Sequence, residues 1–487
     1  MPPPDSKSAL RDAAALTALV LLLHVPDLFR TIADYNEGLY AVVGREVVAG
    51  HLPYLTAWEA KPPAFFAIVA LAMAIFGVNF TAMHMLAVTA TIAVVLSVYA
   101  AGLAFSRDGV WIARAGAVIT AALLLSDSGT AVEGELLGSA FAAAAFAIAA
   151  HALAPRTLSR GAAFSCGVLA SLAAGMKITL VPVALVACIA AAYACAPDAF
   201  AVLVCGALLP PAAQIVPFVL ARRIDLLLDA NLWTIFRRFG VPPAHPPPLE
   251  VLRQQLEAFF PAWLFIPFLP AALHAAGDER DRRIVLMCAC WLLAALIAVA
   301  EIREFFGYQW TALMPPASLL AGWTAARAWR PPAARTVLLA AALAAVLAHL
   351  PGRLLMLREP DRFAQVAAYL YDLPPSERTS LYVASNPGIY VLADAPIPTR
   401  FALPQQLWAR DMELAAGVDG YAELQRIFSR PPAVVVTAQT IAQQTAPAQM
   451  LRAQLARNYR IAFRSDDEVV LLRKPAAERA HRDVIHR

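Results

Sequence analysis

The sequence predicts an all-α polytopic membrane domain followed by a small α/β domain in water. Of 487 residues, 60% are hydrophobic and 15% charged, against roughly 25% charged in soluble domains. Apolar runs approaching the roughly 20 residues of a spanning helix recur through the first 351 positions. From 352 onward they stop, and short β-rich and amphipathic stretches replace them. The expected division is therefore 1–351 and 352–487.

The apolar segments fall at about 12–29, 62–78, 80–105, 111–126, 136–153, 162–176, 178–196, 199–220, 256–276, 284–300, 308–326 and 336–351. The first reads as a retained helix, since no small-residue cleavage site follows it. Segment 62–78 is short and opens on Pro62-Pro63. If it does not cross, eleven spans remain. The short turns bearing Arg107, Arg114, Arg156, Arg160, Arg280, Arg282, Arg283, Arg327, Arg330 and Arg335 then lie together on the side of the N-terminus. Positive charge marks the cytoplasmic side. The expectation is about 11 transmembrane helices, a cytoplasmic N-terminus and an extracytoplasmic tail, with the loop 30–79 also outside. The arginine-bearing loop 221–255 counts against this, but it is long. The net charge of +4 is small and spread along the chain, which excludes a nucleic-acid partner. The six cysteines all lie in apolar segments and show no metal or disulfide spacing.

In the tail, 380–385, 433–438, 459–465 and 468–474 alternate or run apolar as strands do. Segments 361–373, 420–428 and 446–458 have helical spacing. That order suggests a small sheet covered by helices.

Ionisable residues at the edge of a span are costly, which makes them functional candidates. Residues 33–63 hold Asp34, Glu37, Glu46, Glu59, Arg45, His51 and Lys61. Leu39, Val42, Val43, Val47 and Val48 form one helical stripe, as in a helix lying flat in the membrane interface. Asp34 and Glu37 suit the start of that helix, where negative charge meets the helix dipole, so capping is their plain alternative to catalysis. Glu59 and Lys61 fit a surface ion pair equally well. Glu133 and Glu135 precede span 136–153, either as first-turn acids or as site residues. Lys177 stands among apolar neighbours, either snorkelling or holding a phosphate. Arg303 is a further cation at a helix end.

Together these pieces resemble the GT-C membrane glycosyltransferases. "NEGLYAVVGREVVAGHLPY" followed by "KPPAFFAIVALAMAIFG" is similar to their first-loop signature. "EGELLGSAFAAAAF", "GMKITLVPVAL" and "REFFGYQWTALMPPASLLAG" resemble later elements in the same order. "LYVASNPGIYVLADAPIPTRF" and "RPPAVVVT" look like the periplasmic domain of one branch. The nearest branches are the protein O-mannosyltransferase, aminoarabinose transferase and Rgt-like groups. The resemblance implies that 62–78 is a periplasmic juxtamembrane helix. It also implies a bacterial inner-membrane enzyme that takes a sugar, with inversion, from a polyprenyl-phosphate donor. The acceptor would be an extracytoplasmic glycan, lipid or protein.

On that resemblance, Asp34 or Glu37 is the base. Glu135, with Glu133 behind it, orients a substrate. Lys61 and Lys177, with Arg303 and Tyr308, hold the donor phosphate. Two departures stand out. Asn36-Glu37 replaces the usual Asp-Glu, and the late His-Tyr is replaced around Gly307-Tyr308-Gln309. No cofactor is implied with certainty. A divalent metal is the one candidate, and the missing histidine weakens it. Two other functions compete, an O-antigen ligase-like transferase and a transporter or flippase of lipid-linked sugars. The flippase would predict matched interrupted helices in two halves, which the sequence lacks. A non-catalytic scaffold is the third alternative.

Overall fold

The computed structural model describes residues 6–475, apart from 126–129, 154–156, 240–247, 275–277, 303–304, 329–330 and 356–360. Helices dominate. The first are α1 (Ser6–His24), α2 (Tyr35–Val48), α3 (Pro63–Phe76), α4 (Phe80–Leu103) and α5 (Gly109–Leu123). There follow α6 (Gly134–Ala152), α7 (Arg160–Met176), α8 (Val181–Ala194) and α9 (Pro197–Leu220). Beyond these lie the long helices Glu279–Ile302 and Pro331–Leu355, with Met314–Arg327 between them.

Among the described residues, six helices are long and apolar enough to cross a membrane alone. A seventh candidate is the pair Leu249–Ala258 and Phe260–His274, bent by 90°. The protein is an integral membrane protein. The sequence predicts one straight span over 256–276, and the structure breaks it. Pro261, Pro267 and Pro270 lie in this stretch, and each lacks the N–H that a helix interior needs. The span expected at 308–326 likewise begins as a 3-10 turn, Gly307–Leu313, before the helix Met314–Arg327 takes over with Pro315 and Pro316 in its first turn.

Helix α3 has 14 residues, which reach about 21 Å at 1.5 Å each. That is short of the roughly 30 Å hydrocarbon core. Pro63 starts it and Gly77, at φ 92°, ends it, a left-handed conformation that favours glycine. Arginines of the short turns find acids nearby: Arg114 pairs with Asp12 at 2.8 Å, Arg327 with Asp281 at 2.5 Å and Arg335 with Asp108 at 2.8 Å.

The small α/β domain carries a four-stranded sheet of β1 (Leu381–Ala384), β2 (Val434–Ala438), β3 (Tyr459–Ser465) and β4 (Glu468–Arg473). The spatial order is β1-β2-β4-β3. β1 and β2 are parallel, and the other pairings are antiparallel. The helices Arg362–Tyr371, Gly420–Ser429 and Ala446–Asn458 occupy the three segments read as helical.

This domain sits directly on the first loop. Tyr35 donates its hydroxyl to the Ser385 carbonyl at 2.7 Å. Arg45 donates to the carbonyls of Tyr390 and Ala395 at 3.0 and 2.9 Å. Trp58 N–H donates to the Arg400 carbonyl at 2.8 Å. The closest approach is at Gly38. A Cβ there would lie 1.9 Å from Asn386 Oδ1 and 2.8 Å from the Gly388 nitrogen. Helix α2 is therefore not laid flat on lipid. From Glu37 to Gly44 it is buried on every side, between α3 and the short helix Ile389–Leu392. Its polar side chains, which a flat helix would turn to water, are taken up inside the protein instead: Arg45 by carbonyls of the domain, Asn36 by Glu133 and Glu37 by backbone N–H groups.

Gly38→Ala forces apart α2 and the Asn386–Gly388 turn. Overpacking of this kind costs about 1–3 kcal/mol, and the detergent-purified protein is expected to unfold at a lower temperature. Gly161→Ala is the control. Its new methyl meets nothing within 4 Å, so its unfolding temperature should stay level or rise slightly.

Candidate active site

Three chain segments converge beneath this docked domain. The first is the start of α2. Asp34 caps it, its Oδ1 accepting the Glu37 N–H at 2.9 Å. The second is the start of α6, where Glu133 is the extended residue before the helix and Glu135 lies in its first turn. The third is Lys177, extended at φ −157° between α7 and the 3-10 turn Ile178–Leu180.

Gly134 allows the second and third to meet. A Cβ at Gly134 would lie 2.9 Å from the Met176 carbonyl oxygen and 3.1 Å from Lys177 Cβ. With that close approach, Lys177 Nζ forms an ion pair with Glu135 Oε1. The ammonium also lies 5.4 Å from the Tyr308 ring centroid, within cation–π range. Both partners are nearly buried, with side chains 12% and 3% exposed. Lys177 thus points inward to a carboxylate rather than snorkelling outward.

Glu133 turns toward α2 and is completely buried. Asn36 Nδ2 donates to its Oε1 at 3.0 Å, and the Tyr40 hydroxyl donates to its Oε2 at 3.2 Å. The Asp34 carboxyl also reaches the Glu133 side chain. Burial pushes the Asp34 carboxyl above the usual carboxylate range, against the lowering effect of the Glu37 N–H. Burial likewise raises Glu133, and the charge of Asp34 raises it further.

Lys61 completes the ring of charge. It is 8% exposed. Its ammonium lies 5.1 Å from the Tyr40 ring centroid and 4.0 Å from Glu59 Oε1, close enough to favour the charged form of Glu133. The backbone before Pro62-Pro63 is fixed by Tyr54, whose hydroxyl donates to the Lys61 carbonyl at 2.6 Å. Glu59 and Lys61 are therefore part of the interior rather than a surface pair.

Glu37 stands apart from this ring. It is fully buried. Its Oε2 accepts the Ala33 N–H at 2.7 Å, and its Oε1 takes the Val132 N–H at 3.5 Å. His84 Nε2 lies 3.4 Å from Oε2. Glu37 thus joins the residues before α2 to those before α6. Arg303 lies outside the described residues.

The structure brings together Asp34, Lys61, Glu133, Glu135, Lys177 and Tyr308. It adds Asn36 and Tyr40 beside Glu133, and His84 beside Glu37 outside the ring, none of which sequence reasoning assigned to the site. Tyr40 follows Asn36 by four residues and so shares its helical face. His84 is an ionisable side chain inside the apolar run of α4, a signal that was available. Among the described residues, no group of three or more His, Cys, Asp or Glu is placed to hold a metal ion. Asp34 and Glu133 converge, but their other neighbours are an amide, a phenol and an ammonium, so this set does not fit a divalent cation. Between residues 29–35 and the α/β domain lies a cleft of about 500 Å³, with half-buried Asp34 in its wall.

No protein-family model matches the chain, and no curated protein matches it in sequence. Solved structures do match. ArnT from Cupriavidus metallidurans bound to undecaprenyl phosphate superposes with a TM-score of 0.63 at 14% identity, over 97% of this chain and 99% of that one. The chain has the GT-C fold. The Archaeoglobus fulgidus oligosaccharyltransferase tethered to an acceptor peptide matches with a TM-score of 0.55 at 12% identity, over 89% of this chain and 69% of that one. The archaeal oligosaccharyltransferase AglB from Archaeoglobus fulgidus, in complex with an inhibitory peptide and a dolichol-phosphate, matches with a TM-score of 0.53 at 11% identity, over 88% of this chain and 69% of that one.

Within this GT-C chain, Lys177→Met strands Glu135 in apolar surroundings. Breaking one side of a buried pair costs about 3–5 kcal/mol. The expected result is a large drop in unfolding temperature. Combining Lys177→Met with Glu135→Gln should recover much of that loss, because no lone charge remains.

Proposed function

We propose that this protein is an inverting glycosyltransferase of the bacterial inner membrane. It moves a sugar from a polyprenyl-phosphate donor to an extracytoplasmic acceptor. The observation that carries this reading is the split of charge across one site. Carboxyls from α2 and α6 face ammonium groups from Lys61 and Lys177, at the ends of apolar helices.

Displacement at the anomeric carbon needs both halves. An acceptor hydroxyl must lose its proton as its oxygen bonds to the anomeric carbon. The bond from that carbon to the phosphate oxygen breaks at the same time, and its electron pair leaves with the lipid phosphate. Ammonium groups fixed where this charge grows lower the barrier. Asp34 is the base, because it alone of the acids converging at α2 and α6 is also in the wall of the cleft. Glu133, tied by Asn36 and Tyr40, holds Asp34 from behind. Lys61 and Lys177 take the phosphate, with Tyr308 beside Lys177. Glu135 keeps Lys177 charged and aimed. Glu37, its oxygens engaged by backbone N–H groups, is a positioning residue. The α/β domain, residues 352–487, lies outside the membrane on this reading and roofs the acceptor side.

Loss of a general base costs about 10²- to 10⁴-fold. Asp34→Asn should slow transfer by that much without lowering the unfolding temperature, and the donor lipid should accumulate in cells. Full transfer by this variant would remove Asp34 from the role. The pH profile gives a separate check. Asp34 must be ionised to act, and burial raises its pKa, so activity should fall as pH drops through a value above the ordinary carboxylate value near 4. An acid limb at or below that value would contradict the assignment.

A further inference from the structure

The cleft beside Asp34 sorts the classes of acceptor by charge. Four carboxylates line it, Asp34, Asp361, Asp466 and Asp467, against two guanidiniums, Arg30 and Arg362. Both arginines are already engaged. Arg30 donates to the Ala33 carbonyl at 3.0 Å, and Arg362 is ion-paired with Asp467. Asp361 accepts the Thr31 N–H at 2.7 Å and caps the helix Arg362–Tyr371. Arg30 keeps its charge, since its partner is a neutral carbonyl, so beyond the Arg362–Asp467 pair the described lining sets three carboxylates against one guanidinium and is net negative.

A phosphate acceptor and a hydroxyl acceptor make opposite demands on such a wall. A phosphate monoester carries about −1.5 to −2 charge at pH 7. Its oxygen needs no base, and it requires free cations to hold it. Among the described lining residues, Arg30 is the one cation outside an ion pair, and the three carboxylates Asp34, Asp361 and Asp466 outnumber it and repel a phosphate. A sugar hydroxyl is neutral, needs a base, and donates hydrogen bonds that carboxylates accept. The remaining lining suits a sugar ring. Phe29 is 71% exposed and offers an aromatic face to its C–H surface. The ammonium groups of the site, Lys61 and Lys177, sit on the donor side with Tyr40 and Tyr308.

Resting on the glycosyltransferase reading above, we infer that the acceptor is a hydroxyl of an uncharged glycan, bound in this cleft between residues 29–35 and the α/β domain. In the step, the hydroxyl proton passes to Asp34, its oxygen bonds to the anomeric carbon, and the donor phosphate leaves with the bonding pair. The product is an ordinary glycosidic bond.

That bond can be told from the alternatives in the intact cell envelope. Envelope fractions from a deletion strain, the same strain carrying the full chain, and the strain carrying Asp34→Asn are compared by mass spectrometry and linkage analysis. The expected result is a sugar present only with the full chain, linked to a glycan hydroxyl. It should survive the mild acid that cleaves glycosyl phosphates and the alkaline elimination that releases sugars from serine and threonine. A missing sugar that mild acid frees from a phosphate overturns the acceptor inference alone. So does one released from protein by alkaline elimination. An envelope identical in all three strains overturns the transferase reading along with it.

Discussion

The residues Glu133, Gly134 and Glu135 join three distant parts of the chain, and the site depends on that junction. Glu133 takes hydrogen bonds from Asn36 and Tyr40 of α2. Glu135 takes the ammonium of Lys177. Gly134 lets the end of α7 come within contact of the start of α6. A carboxylate or ammonium left alone here would be expensive, so each acid specifies its partner. Positions two apart at a helix start point in different directions, so the two acids reach different partners. Burial that would be a liability for one charge becomes a positional constraint for the whole set.

The same constraint explains how the α/β domain is held. Helix α2 carries Asp34, Asn36 and Tyr40 toward α6, and Arg45 toward the domain. It is packed on both sides, so moving the domain would disturb the acids. The Asn386–Gly388 turn touches the site's own helix at Gly38, and Asn386 Nδ2 donates to the Asp34 carbonyl at 3.2 Å. The cleft exists because the domain touches the first loop at these points and stands off between them. A second buried cluster serves the bundle. Asp27 pairs with His24 at 2.8 Å and with Arg353, so the ends of the first and last long helices are tied.

Most of the architecture was legible because it rests on local patterns. Apolar length marked the helices, short β-rich runs marked all four strands, and two prolines with a short run marked α3. The misread elements were those in which tertiary packing outweighs the local pattern. The stripe of Leu39, Val42 and Val43 is real, but the opposite face of α2 is buried too, against partners distant in the chain that no composition reveals. The prolines at 261, 267 and 270 divide a run whose hydrophobicity alone reads as one span. The candidate acids and lysines were nameable because charges are rare in such a chain. Their pairing was not, since Asn36 to Glu133 spans 97 positions and Tyr35 to Ser385 spans 350.

Asn36 shows what the geometry adds to the resemblance. Where the GT-C pattern has aspartate, an amide stands, and by sequence alone that weakens the site. In the fold the amide donates to Glu133, which an aspartate could do only if protonated. A third carboxylate at that point, beside Asp34 and Glu133, would add like charge to a pair already raised by burial. The amide instead neutralises part of the crowding and fixes Glu133 against Asp34. The acid missing at position 36 is thus matched by an acid at 34, a residue of the cleft wall. On this reading the substitution moves the proton acceptor two residues earlier and leaves the charge of the site nearly unchanged.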